Sequence, residues 1–130
     1  MTTKAAEAAR RWRERHPERD KQSRAAWKAN NTASYIYQRA KSRALRRGLA
    51  FALTPEWVAE RIAVGVCEVS GIPFTSDLGS VNDPNPWSPT IDRVDSSIGY
   101  LPGNCRMVVW VYNAAKNSWS DEVVMRLARA

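Results

Sequence analysis

Asp92 and Asn113 are the residues of this 130-residue chain whose types and placement suit chemistry. Asp92 lies inside Thr90-Ile-Asp-Arg-Val-Asp, a stretch of strand character where an unpaired carboxylate would be costly to bury. Asn113 follows Cys105-Arg-Met-Val-Val-Trp-Val, the strongest strand run in the chain, at or near the start of a helix. Two antiparallel strands followed by a helix bring such positions to one side. A carboxylate oxygen and an amide oxygen are hard donors, suited to magnesium or a similar divalent ion that keeps several waters. Such an ion can hold a phosphodiester and stabilise the charge that develops as a strand is cut. The same carboxylate has a structural alternative, pairing with Arg93, Arg106 or Lys116. On these two residues alone, the structural pairing has the stronger claim.

The other reactive side chains narrow the field. Only two cysteines occur, Cys67 and Cys105, which cannot make a disulfide framework and read as buried small apolar residues. Four-ligand zinc would need two more ligands, and the single histidine, His16, is remote in sequence, so no structural zinc is expected. No apolar run approaches the roughly 20 residues needed to cross a bilayer, which excludes a membrane partner of that kind. The start, Met1-Thr-Thr-Lys-Ala-Ala-Glu, lacks the apolar stretch of a secretory signal, so an intracellular, cytoplasmic protein is expected.

The elements that must position Asp92 and Asn113 follow from charge and periodicity. Residues 1–50 hold 14 basic and 4 acidic side chains, net +10; residues 51–130 hold 6 and 9, net −3. A cationic arm on a mildly acidic domain is the outline of a protein that meets a polyanion. The chain divides into a basic helical arm (1–31), a helical segment (32–66) and a third part (67–130). The arm reads as a helix over 4–29 interrupted at His16-Pro17, because a residue before proline leaves the helical region. Its Trp12 and Trp27 are the aromatics placed to stack on bases; the remaining tryptophans read as core. A helix over 32–48, with Thr32 or Ser34 as cap and Gly48 as stop, carries Arg39, Arg43, Arg46 and Arg47 on one side. Ile36, Ala40 and Ala44 form its packing face. Those arginines suit a phosphate backbone, against the alternative of a solvated cationic face.

Thr54 caps the next helix, Pro55 takes its first position, and Gly65 ends it. Cys67 to Phe74 reads as a short strand and turn, and residues 76–89 as a loop. Residues 90–117 then read as strand, loop, strand, helix. Ser120 caps a last helix whose buried side holds Val123, Val124 and Leu127.

The stretch Pro89-Thr-Ile-Asp-Arg-Val-Asp-Ser-Ser-Ile-Gly-Tyr-Leu-Pro-Gly-Asn-Cys-Arg-Met-Val, continued by Tyr112-Asn-Ala-Ala-Lys, resembles the HNH (ββα-metal, or His-Me finger) endonucleases common in phages, restriction systems and mobile elements. The match includes a preceding Cys67-Glu-Val-Ser-Gly71 and covers about residues 67–122. The resemblance implies an α+β fold: a ββα-metal module with N-terminal basic helices and a C-terminal helix. It implies a metal-dependent DNA endonuclease in which Asp92 and Asn113 hold one Mg2+ or Mn2+ ion. Asn104 would brace the loop between the strands, Gly99 and Tyr100 would shape it, and Lys116 would touch phosphate. Double-stranded DNA is the implied partner, and small modules of this family often work in pairs, which implies a homodimer.

Two departures stand out. Many of these enzymes place a general-base histidine after the first-strand Asp; this chain has Arg93, and a guanidinium, being protonated at any ordinary pH, cannot abstract a proton. Arg93 would instead clamp the scissile phosphate, with Tyr100, Tyr35, Tyr37 or metal-bound water serving as base. A local bulge would be needed to turn Asp92 and Arg93 to one face. The missing histidine also supports an alternative, a DNA-binding protein that keeps the scaffold without cleaving; a purely structural role ranks last, since it leaves the +10 arm without a partner. Secondly, the paired cysteine knuckles of related nucleases are absent, and packing by Val109, Trp110 and Tyr112 is expected to replace them.

Overall fold

The computed structural model describes residues 3–19, 21, 31–80 and 82–130, so Trp27 and the rest of residues 22–30 of the basic arm lie outside the described residues. The chain forms two compact units, residues 1–31 and residues 32–130.

In the first unit, helix α1 (Lys4–Arg15) begins where Thr3 caps it, the hydroxyl accepting from the Ala6 N–H at 3.1 Å. It ends at His16, whose ring stacks on Trp12 at a centroid distance of 4.9 Å. No described residue of α1 is buried.

The second unit contains α2 (Thr32–Arg47), α3 (Pro55–Val64), β1 (Pro89–Arg93), β2 (Cys105–Val109), α4 (Trp110–Lys116) and α5 (Asp121–Arg129). Gly48, at φ 65°, stops α2, and Gly65, at φ 85°, stops α3; both adopt the left-handed region that glycine enters without steric cost. Ile36, Ala40 and Ala44 of α2 are buried, and the small alanines let the helix lie close to its neighbours. They share one core with Leu53, Val58, Ile91, Tyr100, Cys105 and Met107. Both cysteines are free and buried.

The sheet is a single antiparallel pair in which Ile91 faces Met107, Asp92 faces Arg106 and Arg93 faces Cys105. The second edge of β2 is covered by Glu68: its N–H donates to the Met107 carbonyl at 2.9 Å, and its carboxylate accepts from the Met107 N–H. An unpaired edge is thereby closed without a third strand. The strand expected over Cys67–Phe74 is accordingly reduced to a turn with a single bridge between Val66 and Pro73.

β2 also stops earlier than its apolar run. The chain turns into α4 at Trp110 because loop carbonyls accept its first N–H groups, Trp110 to Ser88 at 2.8 Å and Val111 to Pro86 at 3.0 Å. This start has no side-chain cap, so nothing local announces it. Three packing expectations need correction. Trp87, Trp110 and Trp119 are exposed rather than core. Around Cys67 it is Val108, Val109, Val69, Phe74 and Tyr112 that pack, without Trp110. Leu127 is 75% and Val123 48% exposed, so the apolar side of α5 is largely uncovered by this unit. Among the described residues no helix is long and apolar enough to cross a membrane.

Candidate active site

Asp92 is 1% exposed, and both of its carboxylate oxygens are paired. Arg106, directly across the strand pair, donates its Nε to Oδ2 at 2.9 Å. Lys116, reaching down from α4, donates its Nζ to Oδ1 at 3.2 Å. Of the three cations the sequence offers as structural partners, Arg106 and Lys116 take the role. A charge removed from water needs such partners, since its desolvation costs several kcal/mol.

Lys116 is itself 1% exposed and donates further to the backbone carbonyls of Arg93 at 3.0 Å and Val94 at 3.3 Å. A phosphate contact by Lys116 is therefore corrected: all three ammonium hydrogens have acceptors inside the protein. Arg106 goes on to Asp121 at the start of α5, donating Nη2 to Oδ1 at 2.5 Å, and the Tyr112 hydroxyl donates to the same oxygen. Burial alone would lower the Arg106 pKa, but hydrogen bonds to Asp121 and Asp92 outweigh it and raise it further. The Arg106 hydrogen bond in turn holds Asp121 below the usual carboxylate range. Tyr112 is pushed up to about 12 by burial and by its bond to Asp121. The network is thus two carboxylates and two cations, balanced in charge, tying β1, β2, α4 and α5 together. Arg106 was visible in the sequence only as one structural partner among three, and Asp121 only as a first-turn acid. The signal for Arg106 is the hairpin register, which sets an opposite charge directly across from Asp92.

Arg93 follows Asp92 in an uninterrupted register, with no bulge between them, and still borders the same cavity as Asp92. Its Nη1 donates to the carbonyls of Ser96 at 2.5 Å and Ile98 at 3.2 Å, and its guanidinium lies 5.1 Å from the centre of the Tyr100 ring. Tyr100 is 2% exposed, tilted against Phe51, and its backbone is bonded to Ala50 and Ala52. Asn104 ties the connection between the strands: Oδ1 accepts from the Asp95 N–H, while Nδ2 donates to the carbonyls of Asp95 and Gly99, each at 3.0 Å. Gly99 sits where a Cβ would lie 2.4 Å from the Ala50 carbonyl oxygen.

Asp92, Arg93, Tyr100 and Asn113 border one cavity of about 260 Å3, together with Arg43 and Arg47 of α2, Ser96 and Asn117. Arg39 and Arg46 are exposed and do not line it; Arg39 instead donates to the Tyr35 hydroxyl at 2.8 Å. The described lining contains three guanidiniums and one carboxylate, which makes it anion-attracting. Asn113 donates Nδ2 to the Ile91 carbonyl at 3.3 Å, so its amide oxygen is the end that would serve a cation. One carboxylate and one amide oxygen fit a divalent ion whose remaining ligands are water or phosphate. Among the described residues no group of three or more His, Cys, Asp or Glu side chains is arranged to hold a metal.

No family model matches this chain, and no curated protein matches it. Among solved structures it is similar to the rare-cutting HNH restriction endonuclease PacI, described with an extraordinary mechanism of DNA perturbation. The TM-score is 0.59 and the identity 25%, over 73% of this chain and 72% of that chain.

Proposed function

We propose, on the likeness to an HNH restriction endonuclease, that this chain is an HNH-type enzyme, a metal-dependent endonuclease that hydrolyses phosphodiester bonds in double-stranded DNA. The observation that carries the proposal is the shared cavity of about 260 Å3, lined by Asp92, Asn113 and three arginines.

Arg43, Arg47 and Arg93 bind and orient the phosphate, their planar forks matching its oxygens. Asp92 and Asn113 would hold one divalent ion, Mg2+ or Mn2+, which when bound supplies electrostatic stabilisation of the developing charge. Tyr100 is the one of the three candidate tyrosines that lines the cavity, and in this reading it would relay the proton of the attacking water. Asn104 and Gly99 keep the connecting loop in shape, while Lys116 and Arg106 act behind the site. Arg39, Arg46 and the arm contact the backbone beyond the cavity, and contacts of that kind set position without reading bases. A second copy of the chain would supply the cut on the opposite strand.

One observation favours a second function, DNA binding without cleavage: both Asp92 oxygens are already held by cations. A plasmid-nicking assay with Mg2+, Mn2+ and chelator separates the two. The nuclease is expected to nick with metal only and to lose at least about 100-fold in rate in Asp92→Ala and Asn113→Ala, the scale of removing a transition-state stabiliser. Salt-sensitive DNA binding with no cleavage under any ion would establish the binder instead.

A further inference from the structure

The cavity has a charge balance that a metal site alone would not have. Its described lining carries Arg43, Arg47 and Arg93 against Asp92, a net of +2. The single carboxylate is not free to answer that excess, because Arg106 and Lys116 already pair with its two oxygens. Asp121 offsets Arg106 from behind and lies outside the lining. A divalent cation approaching the free protein therefore meets a positive field and finds one engaged carboxylate and one neutral amide. Asp92 and Lys116 are both 1% exposed, so water screens little of the pairing that already engages the carboxylate. A phosphodiester reverses the situation. It is drawn in by the same three arginines, and it brings both negative charge and an oxygen ligand.

We infer that the divalent ion enters this site together with the DNA phosphate and not before it, so that metal and DNA bind cooperatively through Arg43, Arg47 and Arg93. The inference rests on the nuclease function proposed above and adds its order of assembly. Cooperativity between two ligands is reciprocal: whatever factor DNA adds to metal affinity, metal adds to DNA affinity.

The experiment is a titration of the full chain with Mn2+, the free ion counted by its paramagnetic signal, alone and with a short duplex, after subtracting Mn2+ held by the duplex itself. Mn2+ affinity is expected to rise about tenfold or more when DNA is present, with an equal gain in DNA affinity on adding Mn2+ by fluorescence anisotropy. In Arg43→Gln/Arg47→Gln, checked for folding by circular dichroism, the DNA-free protein is expected to bind Mn2+ more tightly and the gain from DNA to shrink. Equal Mn2+ affinity with and without bound DNA overturns the inference and leaves the nuclease proposal standing. Failure to bind the duplex even at low salt overturns both.

Discussion

Lys116 is the residue whose role the structure changes most. In sequence it is a basic residue on a short helix beside an asparagine, indistinguishable from a solvated lysine. In the fold it is as buried as Asp92 and holds that carboxylate together with two strand carbonyls. Replacing one partner of a buried ion pair is costly because the other keeps its desolvation penalty. Lys116→Met is therefore expected to lower stability by about 3 kcal/mol, the lower end of the usual range because Arg106 still faces Asp92. Urea unfolding measures it, and a loss below about 1 kcal/mol would show the pair to be peripheral. The double variant Asp92→Asn/Lys116→Met removes both charges and is expected to recover part of the loss.

Among the elements, the loop from Asp95 to Asn104 decides how β1 meets β2, and Gly99 is its tightest point. An added methyl would stand 2.4 Å from the Ala50 carbonyl oxygen and 2.9 Å from its nitrogen. Backbone cannot yield as a flexible side chain does. Gly99→Ala is expected to cost about 1–3 kcal/mol, the range for overpacking, and to lower the thermal midpoint. Gly103→Ala, whose Cβ meets nothing within 4 Å, is the control and is expected to leave the midpoint almost unmoved. The sequence showed this loop by its Gly, Pro and Asn content and its place between two apolar runs. It did not show that Ala50 would press against it, because that contact joins segments far apart in the chain. The start of α4 is similar: an apolar run from Cys105 to Val111 reads as strand, and only the carbonyls of Pro86 and Ser88 convert its end to helix.

For the whole molecule the separation of charge sets the expectation. Residues 1–31 carry nine of the 14 basic residues of the first 50, and α1 buries none of its described residues. Residues 32–130 hold the core and every residue of the cavity. Deleting residues 1–31 is therefore expected to leave the melting temperature nearly unchanged while weakening DNA binding at low salt. The slope of log affinity against log salt should become shallower by about 0.9 for each phosphate that the arm no longer neutralises. An unchanged slope would assign the DNA contacts to residues 32–130 alone.

The sequence by itself determined what local chemistry determines: the caps of α3 and α5, the glycine stops of α2 and α3, the apolar face of α2, the two strands and the loop between them. Through ordered motif residues it also marked Asp92 and Asn113 as a pair. Tertiary structure alone decided the partners of that pair. Helical periodicity puts Arg39, Arg43, Arg46 and Arg47 on one side, but only packing of α2 brings Arg43 and Arg47 to the cavity and leaves the other two outside. Likewise, whether a lysine meets water or a buried carboxylate depends on where its helix docks, and docking is fixed by contacts between segments that the linear sequence keeps apart.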